Sequence, residues 1–162
     1  DATIFRPSIL TLSNYSNDAE KSSILNRVNS LLKLVRKMSE KPLVDFRVIA
    51  DKDSNLNFVP VDYVVRAMSD ISRNSASSGK TFHLTNPKDI KLSGVMDILC
   101  RETDFGSFKY VPCLSSSSRL ETYFDCRIKH FQPYITGLNP FFDRINTNEF
   151  LPDERIENSG VL

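Results

Sequence analysis

The stretch Asn55-Leu56-Asn57-Phe58-Val59-Pro60-Val61-Asp62-Tyr63-Val64-Val65 limits what this chain can fold into more than any other. Asn57, Phe58 and Val59 suit a pleated, half-buried strand. Pro60 cannot donate to a ladder, so it marks a strand end or a helix start. Asp62 then sets a carboxylate in a first helical turn, where free N–H groups and the helix dipole favour it. Val61, Val64, Val65, Met68 and Ile71 recur at helical spacing and predict the buried stripe of that helix. A strand running directly into a helix belongs to α/β architecture. On periodicity alone, nothing beyond a strand–helix junction in a core follows.

A length of 162 residues fits one domain, read here as residues 1–152 followed by a loose tail, 153–162. With 21 basic and 20 acidic residues the net charge is +1, so no global field draws in nucleic acid or a membrane surface. No apolar run has the length of a membrane span, and no signal peptide is visible. Cys100, Cys113 and Cys126 are odd in number and form no CxxC pair, which argues against a disulfide framework and a zinc site. Free thiols in a reducing cytoplasm are the expectation. The sequence opens on Asp1, directly before strand-like residues, and so reads as a piece of something larger.

In chain order, Thr3 to Leu10 predicts a strand buried on both faces, as in a parallel sheet, with Pro7 forcing an end or an edge. Ser13 to Lys21 reads as a loop, with Asn17 or Asp18 as N-cap. Ile24, Leu25, Val28, Leu31, Leu32 and Val35 form the clearest helical stripe; Arg36 and Lys37 close it and Lys41-Pro42 ends it. Phe46 to Ala50 is a short strand, and the Asp51–Ser54 break suggests a hairpin from Phe46 to Val59. After the junction helix, which ends near Ser72, come a polar loop, Asn74 to Gly79, and a strand, Thr81 to Thr85, stopped by Asn86-Pro87. Ser93 is expected to cap a helix carrying Val95, Met96, Leu99 and Cys100. A strand at Phe108 to Pro112 follows. The Ser115–Ser118 run then caps a long helix with Leu120, Phe124, Ile128, Phe131 and Ile135 on one side, closed by Gly137 and Pro140. Phe141 to Asp143 adds a last short strand.

Motifs for chemistry are scarce. His83 has no nucleophile or orienting carboxylate nearby in sequence and reads as structural, and His130 as a surface residue. Gly79-Lys80-Thr81 lacks the first glycine of a phosphate-binding loop and leads into a strand where a helix is needed. Asp51 and Asp53 lack the remaining calcium ligands. With five glycines there is little material for a dinucleotide loop, and neither a GxSxG elbow nor an HExxH pair occurs. No catalytic residue and no metal site is assigned.

Three stretches in fixed order carry a resemblance: Phe5-Arg6-Pro7-Ser8-Ile9, Leu56-Asn57-Phe58-Val59-Pro60-Val61-Asp62-Tyr63-Val64, and Gly79-Lys80-Thr81-Phe82-His83-Leu84-Thr85-Asn86. Together with Pro140 to Asn148 they resemble the C-terminal, substrate-binding half of an extended short-chain dehydrogenase/reductase. The branch is that of the thioester reductases: terminal domains of non-ribosomal peptide and polyketide synthetases, carboxylic acid reductases and fatty acyl reductases. The fold this implies is mixed α/β, the C-terminal part of a Rossmann-type fold, with a few strands, some parallel, and about four helices.

The resemblance implies a parent enzyme in which an N-terminal Rossmann half binds NADPH and reduces an acyl or peptidyl thioester, held on a carrier protein's phosphopantetheine arm, to an aldehyde or alcohol. Pro7, Ser8 and Ile9 would border the nicotinamide. Val59, Pro60 and Asp62 would shape the substrate side, although Asp62 also suits a plain helix cap. Helices over residues 23–38 and 116–136 would wall the acyl pocket. The glycine-rich loop and the YxxxK helix of the family have no counterpart here: Tyr15, Tyr63, Tyr110, Tyr123 and Tyr134 all lack a Lys four residues on. The chain alone is therefore expected to bind no cofactor and to be inactive. Its expected partners are the missing Rossmann half and an acyl or peptidyl carrier protein, with self-association through an exposed strand edge. A fatty acyl-CoA reductase or a nucleotide-sugar epimerase is the alternative parent, and a non-catalytic carrier-docking module the alternative role.

Overall fold

The computed structural model describes residues 2–11, 24–39, 43–137 and 139–152. The loop and N-cap expected before residue 23, the Lys41-Pro42 stop and the tail after 152 lie outside the described residues. The chain forms two compact units, each assembled from separate stretches. The first draws on residues 2–11, 57–89 and 140–152, and the second on 24–56 and 90–139.

The first unit contains β1 (Ile4–Pro7), β2 (Ile9–Thr11), β5 (Phe58–Pro60), α2 (Val61–Ser72), β6 (Thr81–Leu84) and α6 (Ile145–Phe150). β1 pairs with β6 in parallel, Ile4 opposite Thr81 and Pro7 opposite Leu84. β2 pairs with β5 in parallel, Ile9 opposite Phe58 and Thr11 opposite Pro60. α2 connects β5 to β6, which pair with β2 and β1 and not with each other. Val59, Tyr63, Val64, Ala67, Ile71, Phe82 and Leu84 form the core of this unit, with Phe5, Phe150 and Leu151 packed against it.

The junction behaves as its sequence requires. β5 leads straight into α2, Pro60 is the N-cap in an extended conformation (φ −63°, ψ 136°), and Asp62 sits in the first turn. The buried face of α2 differs from the one expected: it is Tyr63, Val64, Ala67 and Ile71, while Val65 and Met68 are 59% and 38% exposed. Tyr63 and Ala67 complete the i, i+4, i+8 row, and a stripe chosen by aliphatic character alone passes over both. β1 and β2 are paired in parallel but not buried on both faces, since Ile4 is 47% and Leu10 43% exposed.

The second unit contains α1 (Ile24–Lys37), β3 (Leu43–Ile49), β4 (Asn55–Leu56), β7 (Ile90–Lys91), α3 (Leu92–Thr103), β8 (Gly106–Val111), α4 (Arg119–Ile128) and α5 (Gln132–Ile135). β3 runs parallel to β8, from Leu43 opposite Gly106 to Ile49 opposite Val111. The hairpin expected from Phe46 to Val59 does not form: β3 pairs with β8, β4 with β7 and β5 with β2. The Asp51–Ser54 turn is real, closed by Ser54 N–H to Asp51 O (3.0 Å) and Asp53 N–H to Asp51 Oδ1 (2.9 Å), but it does not return the chain onto β3. The core holds Phe46, Phe105, Phe108 and Phe124, with Phe46 edge-on to the other three. α1 packs on α3 and α4 through the expected stripe, where Leu32 and Val35 are fully buried.

Two helix starts show how local signals succeed or fail. Ser118 caps α4 in a full capping box: its hydroxyl accepts from Glu121 N–H, and Glu121 accepts from Ser118 N–H. α3 instead begins at Leu92 with Lys91 as N-cap, which leaves Ser93 inside the first turn rather than capping it. The long helix expected to Ile135 is interrupted. α4 stops at Ile128, a 3-10 turn spans Lys129–Phe131, and α5 follows. Pro133 has no N–H for an i−4 bond and its ring crowds that carbonyl, so the α ladder cannot run through it. Phe141 to Asp143 is not a strand; the segment enters α6 instead. Among the described residues, no helix is long and apolar enough to cross a membrane.

Candidate functional site

The polar groups of the first unit gather where the edge chain exchanges one strand partner for another. Ser8 N–H still donates to Leu84 O of β6 (3.2 Å), and the next residue, Ile9, donates to Asn57 O beside β5 (3.1 Å). The Ser8 hydroxyl donates to the same Asn57 carbonyl (2.7 Å). Pro7, Ser8 and Ile9 thus sit at the carboxyl end of β1, with Asn57 against them. In open α/β sheets ligands bind outside the carboxyl ends of strands, at points where strand order switches.

Asn57 is the centre of this arrangement, and it is 6% exposed. Its Nδ2 donates to Asn86 O (2.8 Å) and to Asp89 Oδ1 (2.7 Å), and its Oδ1 accepts from Asn86 N–H (2.9 Å). The Asn86 side chain answers by donating to Phe58 O (3.2 Å) and accepting from Lys88 N–H (3.0 Å). The two amides fasten the entry of β5 to the exit of β6. Both donors of the Asn57 side chain are used and its Oδ1 already accepts one bond, so this side chain holds the rim and has no N–H left to offer a ligand. Beside it, Thr85 Oγ1 is buried with no hydrogen-bond partner.

Of the residues assigned to the substrate side, Val59 is fully buried in the core, Pro60 is half-buried and Asp62 is exposed. α2 has no side-chain bond at its N-cap, so Asp62 acts there only through the dipole and the free N–H groups of the first turn. The helices assigned to the acyl pocket, α1 and the broken α4–α5 run, both lie in the second unit. Sequence reasoning read Asn86-Pro87 only as a strand stop and missed Asn57, Asn86 and Asp89 as a group. The available signal was a polar residue at each end of the β5–α2–β6 connection.

His83 has a structural role. Its Nδ1 lies 2.9 Å from Asp143 O, so the ring donates there, and Phe142 packs edge-on at 6.2 Å between centroids. His130 is exposed. Gly79 has φ +78° and leads into β6, not into a helix, so Gly79-Lys80-Thr81 builds no phosphate cradle. Among the described residues, no group of three or more His, Cys, Asp or Glu side chains could hold a metal.

The structure is similar to "The crystal structure of the terminal R domain from the myxalamid PKS-NRPS biosynthetic pathway", with a TM-score of 0.57 and 21% identity over 95% of this chain. The likeness shows the fold, a mixed α/β arrangement shared with part of that R domain. The chain spans 38% of the length of that R domain. Weaker likenesses are to UDP-N-acetylglucosamine 4-epimerase from Bacillus cereus (TM-score 0.44, 10% identity, 91% of this chain and 40% of that one) and to epimerase Mth375 from Methanothermobacter thermautotrophicus (TM-score 0.46, 12% identity, 90% and 40%). No protein-family model and no curated protein sequence matches the chain. In this fold the parallel β1–β6 pair, joined to β5 through α2, carries the Ser8–Asn57–Asn86 rim at its carboxyl end.

Proposed function

We propose that this chain is the C-terminal, substrate-binding portion of an NADPH-dependent thioester reductase. The parent enzyme would release an acyl or peptidyl chain from a carrier protein's phosphopantetheine arm as an aldehyde or alcohol. One observation carries the reading: the three motif stretches, far apart in sequence, form one continuous rim in a fold similar to a terminal R domain. In this role Pro7, Ser8 and Ile9 border the nicotinamide, and Pro60 and Asp62 face the substrate side above the buried Val59.

The residues present do not by themselves fit a dinucleotide. Pyrophosphate needs a glycine-rich turn opening a helix after a strand. Gly94 lies within α3, Gly106 opens β8 and Gly79 precedes β6, so none of these stands in that context. No Tyr is followed by Lys at the fourth position. The cofactor and the proton donor for the developing oxyanion therefore come from outside these residues, and no chemical step is assigned to the chain alone.

The test is competition binding on the 162-residue chain. An acyl pantetheine thioester should bind and a nucleotide sugar should not displace it. Binding of the nucleotide sugar alone would transfer the chain to the epimerases. Turnover on mixing the chain with NADPH and the thioester would overturn the assignment of the chemistry to another segment.

A further inference from the structure

α1 carries the basic residues Arg27, Lys33, Arg36 and Lys37 and no acidic one. Arg36 is occupied: its Nε donates to Asp104 O (2.8 Å) and its Nη2 pairs with Asp104 Oδ2 (3.1 Å). Arg27, Lys33 and Lys37 are exposed, and none of them makes an ion pair or a side-chain hydrogen bond among the described residues. Leu34, 44% exposed, and Met38, 57% exposed, lie between these cations. Arg27, Leu34, Lys37 and Met38 share one side at helical spacing, with Lys33 at its border, and the face is about 16 Å long at 1.5 Å per residue. The opposite face is already covered: Leu32 and Val35 are fully buried, and α1 packs on α3 and α4. The exposed charges work against the helix that carries them. Arg27 stands in the first turn, where the dipole favours a carboxylate, and Lys33 and Lys37 form a like-charge i, i+4 pair. Only Lys37, in the last turn, is placed where the dipole favours a cation.

We propose that this face of α1 docks the carrier protein, through an acidic helix on the carrier's surface. The identity of the partner rests on the thioester reductase reading. Opposite charge supplies what the local pattern lacks. Carboxylates one turn apart on a facing helix meet Arg27, Lys33 and Lys37, and Leu34 and Met38 give the contact an apolar centre inside a charged rim. Such a face also steers an acidic partner toward it before contact. Three unpaired cations do not mark a surface that a protein buries as its own core, because Lys and Arg are almost never fully buried unless paired. A lipid surface fits less well. An interfacial helix sinks its apolar face into the headgroups, and that face of α1 is held against α3 and α4.

The test titrates the full chain into a fluorescently labelled acyl carrier protein of net negative charge, bearing its phosphopantetheine arm, and follows anisotropy. The carrier should bind, and more weakly as salt is raised. Lys33→Glu with Lys37→Glu should weaken binding by about tenfold or more, whereas Lys33→Arg with Lys37→Arg should preserve it. Lys109→Glu with Lys129→Glu, the same change of charge at exposed positions outside α1, should have little effect. Because all four side chains are exposed, circular dichroism of each variant should match the parent. Absence of carrier binding overturns the proposal. So does equal weakening by the two charge-reversed pairs, the mark of a general field, and so does binding to phosphatidylserine vesicles that Lys33→Glu with Lys37→Glu abolishes while carrier binding persists. Binding of a free acyl pantetheine thioester separates this proposal from the reading beneath it. A chain that takes the carrier through Lys33 and Lys37 but not the free thioester keeps the docking face and loses the substrate site; one that takes the thioester but not the carrier does the reverse.

Discussion

Glu121 on α4 grips Arg47 on β3 with both of its oxygens: Nε to Oε1 and Nη2 to Oε2 are each 2.8 Å, and Arg47 N–H adds a third bond to Oε1 at 3.3 Å. The same carboxylate accepts Ser118 N–H at 2.7 Å and so completes the capping box of α4. One buried side chain therefore caps a helix and ties it to the β3–β8 pair. Glu121→Ala removes the ion pair and half of the capping box together, and should lower unfolding free energy by about 3 kcal/mol. Urea unfolding should show a lower midpoint with an unchanged slope.

The pH dependence has a definite sign. The hydrogen bonds from the Arg47 guanidinium, which outweigh the opposing effect of burial, hold Glu121 down at about 2, below its ordinary value of 4.5. A group depressed in the folded state contributes stability in full above its unfolded value and loses it as pH falls toward the folded one. Stability of the parent chain should thus decline between about pH 5 and pH 2. Glu121→Gln should flatten that part of the curve. Equal slopes for parent and variant would place the acid sensitivity elsewhere.

Asn57→Ala should unfasten the rim. The buried bonds that Asn57 makes with Asn86 N–H, Asn86 O and Asp89 are lost, which costs about 2–3 kcal/mol. Hydrogen exchange should rise at residues 86–89, while exchange in the β3–β8 pair, which belongs to the other unit, should not change at neutral denaturant-free conditions. Uniform acceleration across the chain would contradict a local latch.

Gly106 opens β8 at φ +104°, and a Cβ there would collide with the backbone carbonyl of Leu43. Gly106→Ala should cost about 2 kcal/mol or more, from the left-handed backbone and the forced shift of the first β3–β8 pair. Thermal melting is sufficient to detect it.

The thiols should divide two to one. Cys113 and Cys126 are exposed and Cys100 is buried. Burial, aided by the charge of Asp97, pushes Cys100 up to about 11. A thiol reagent at neutral pH should modify two cysteines quickly and the third only on unfolding. Three equally fast thiols would show that α3 opens readily.

Much of this was legible locally. The β5–α2 junction, the α1 stripe with Arg36 and Lys37 at its end, and the Ser118 cap depend on neighbours within a turn or two, so their residues settle them. The order of the three motif stretches indicated the fold before any strand was paired.

Tertiary structure decided the rest. Nothing near Phe46 in sequence says that its partner is Phe108 and not the strand just beyond the turn, because parallel pairing is fixed by side chains that meet only after a crossover. Tyr63 and Ala67 became core because a sheet covered that face of α2, and Val65 and Met68, equally apolar, stayed outside. Asn57 is joined to Asn86 and Asp89 across 29 and 32 residues, and Arg47 to Glu121 across 74. Local pattern determines which segments become helix or strand; the partner of a buried polar group is determined by where the folded chain brings a matching donor or acceptor.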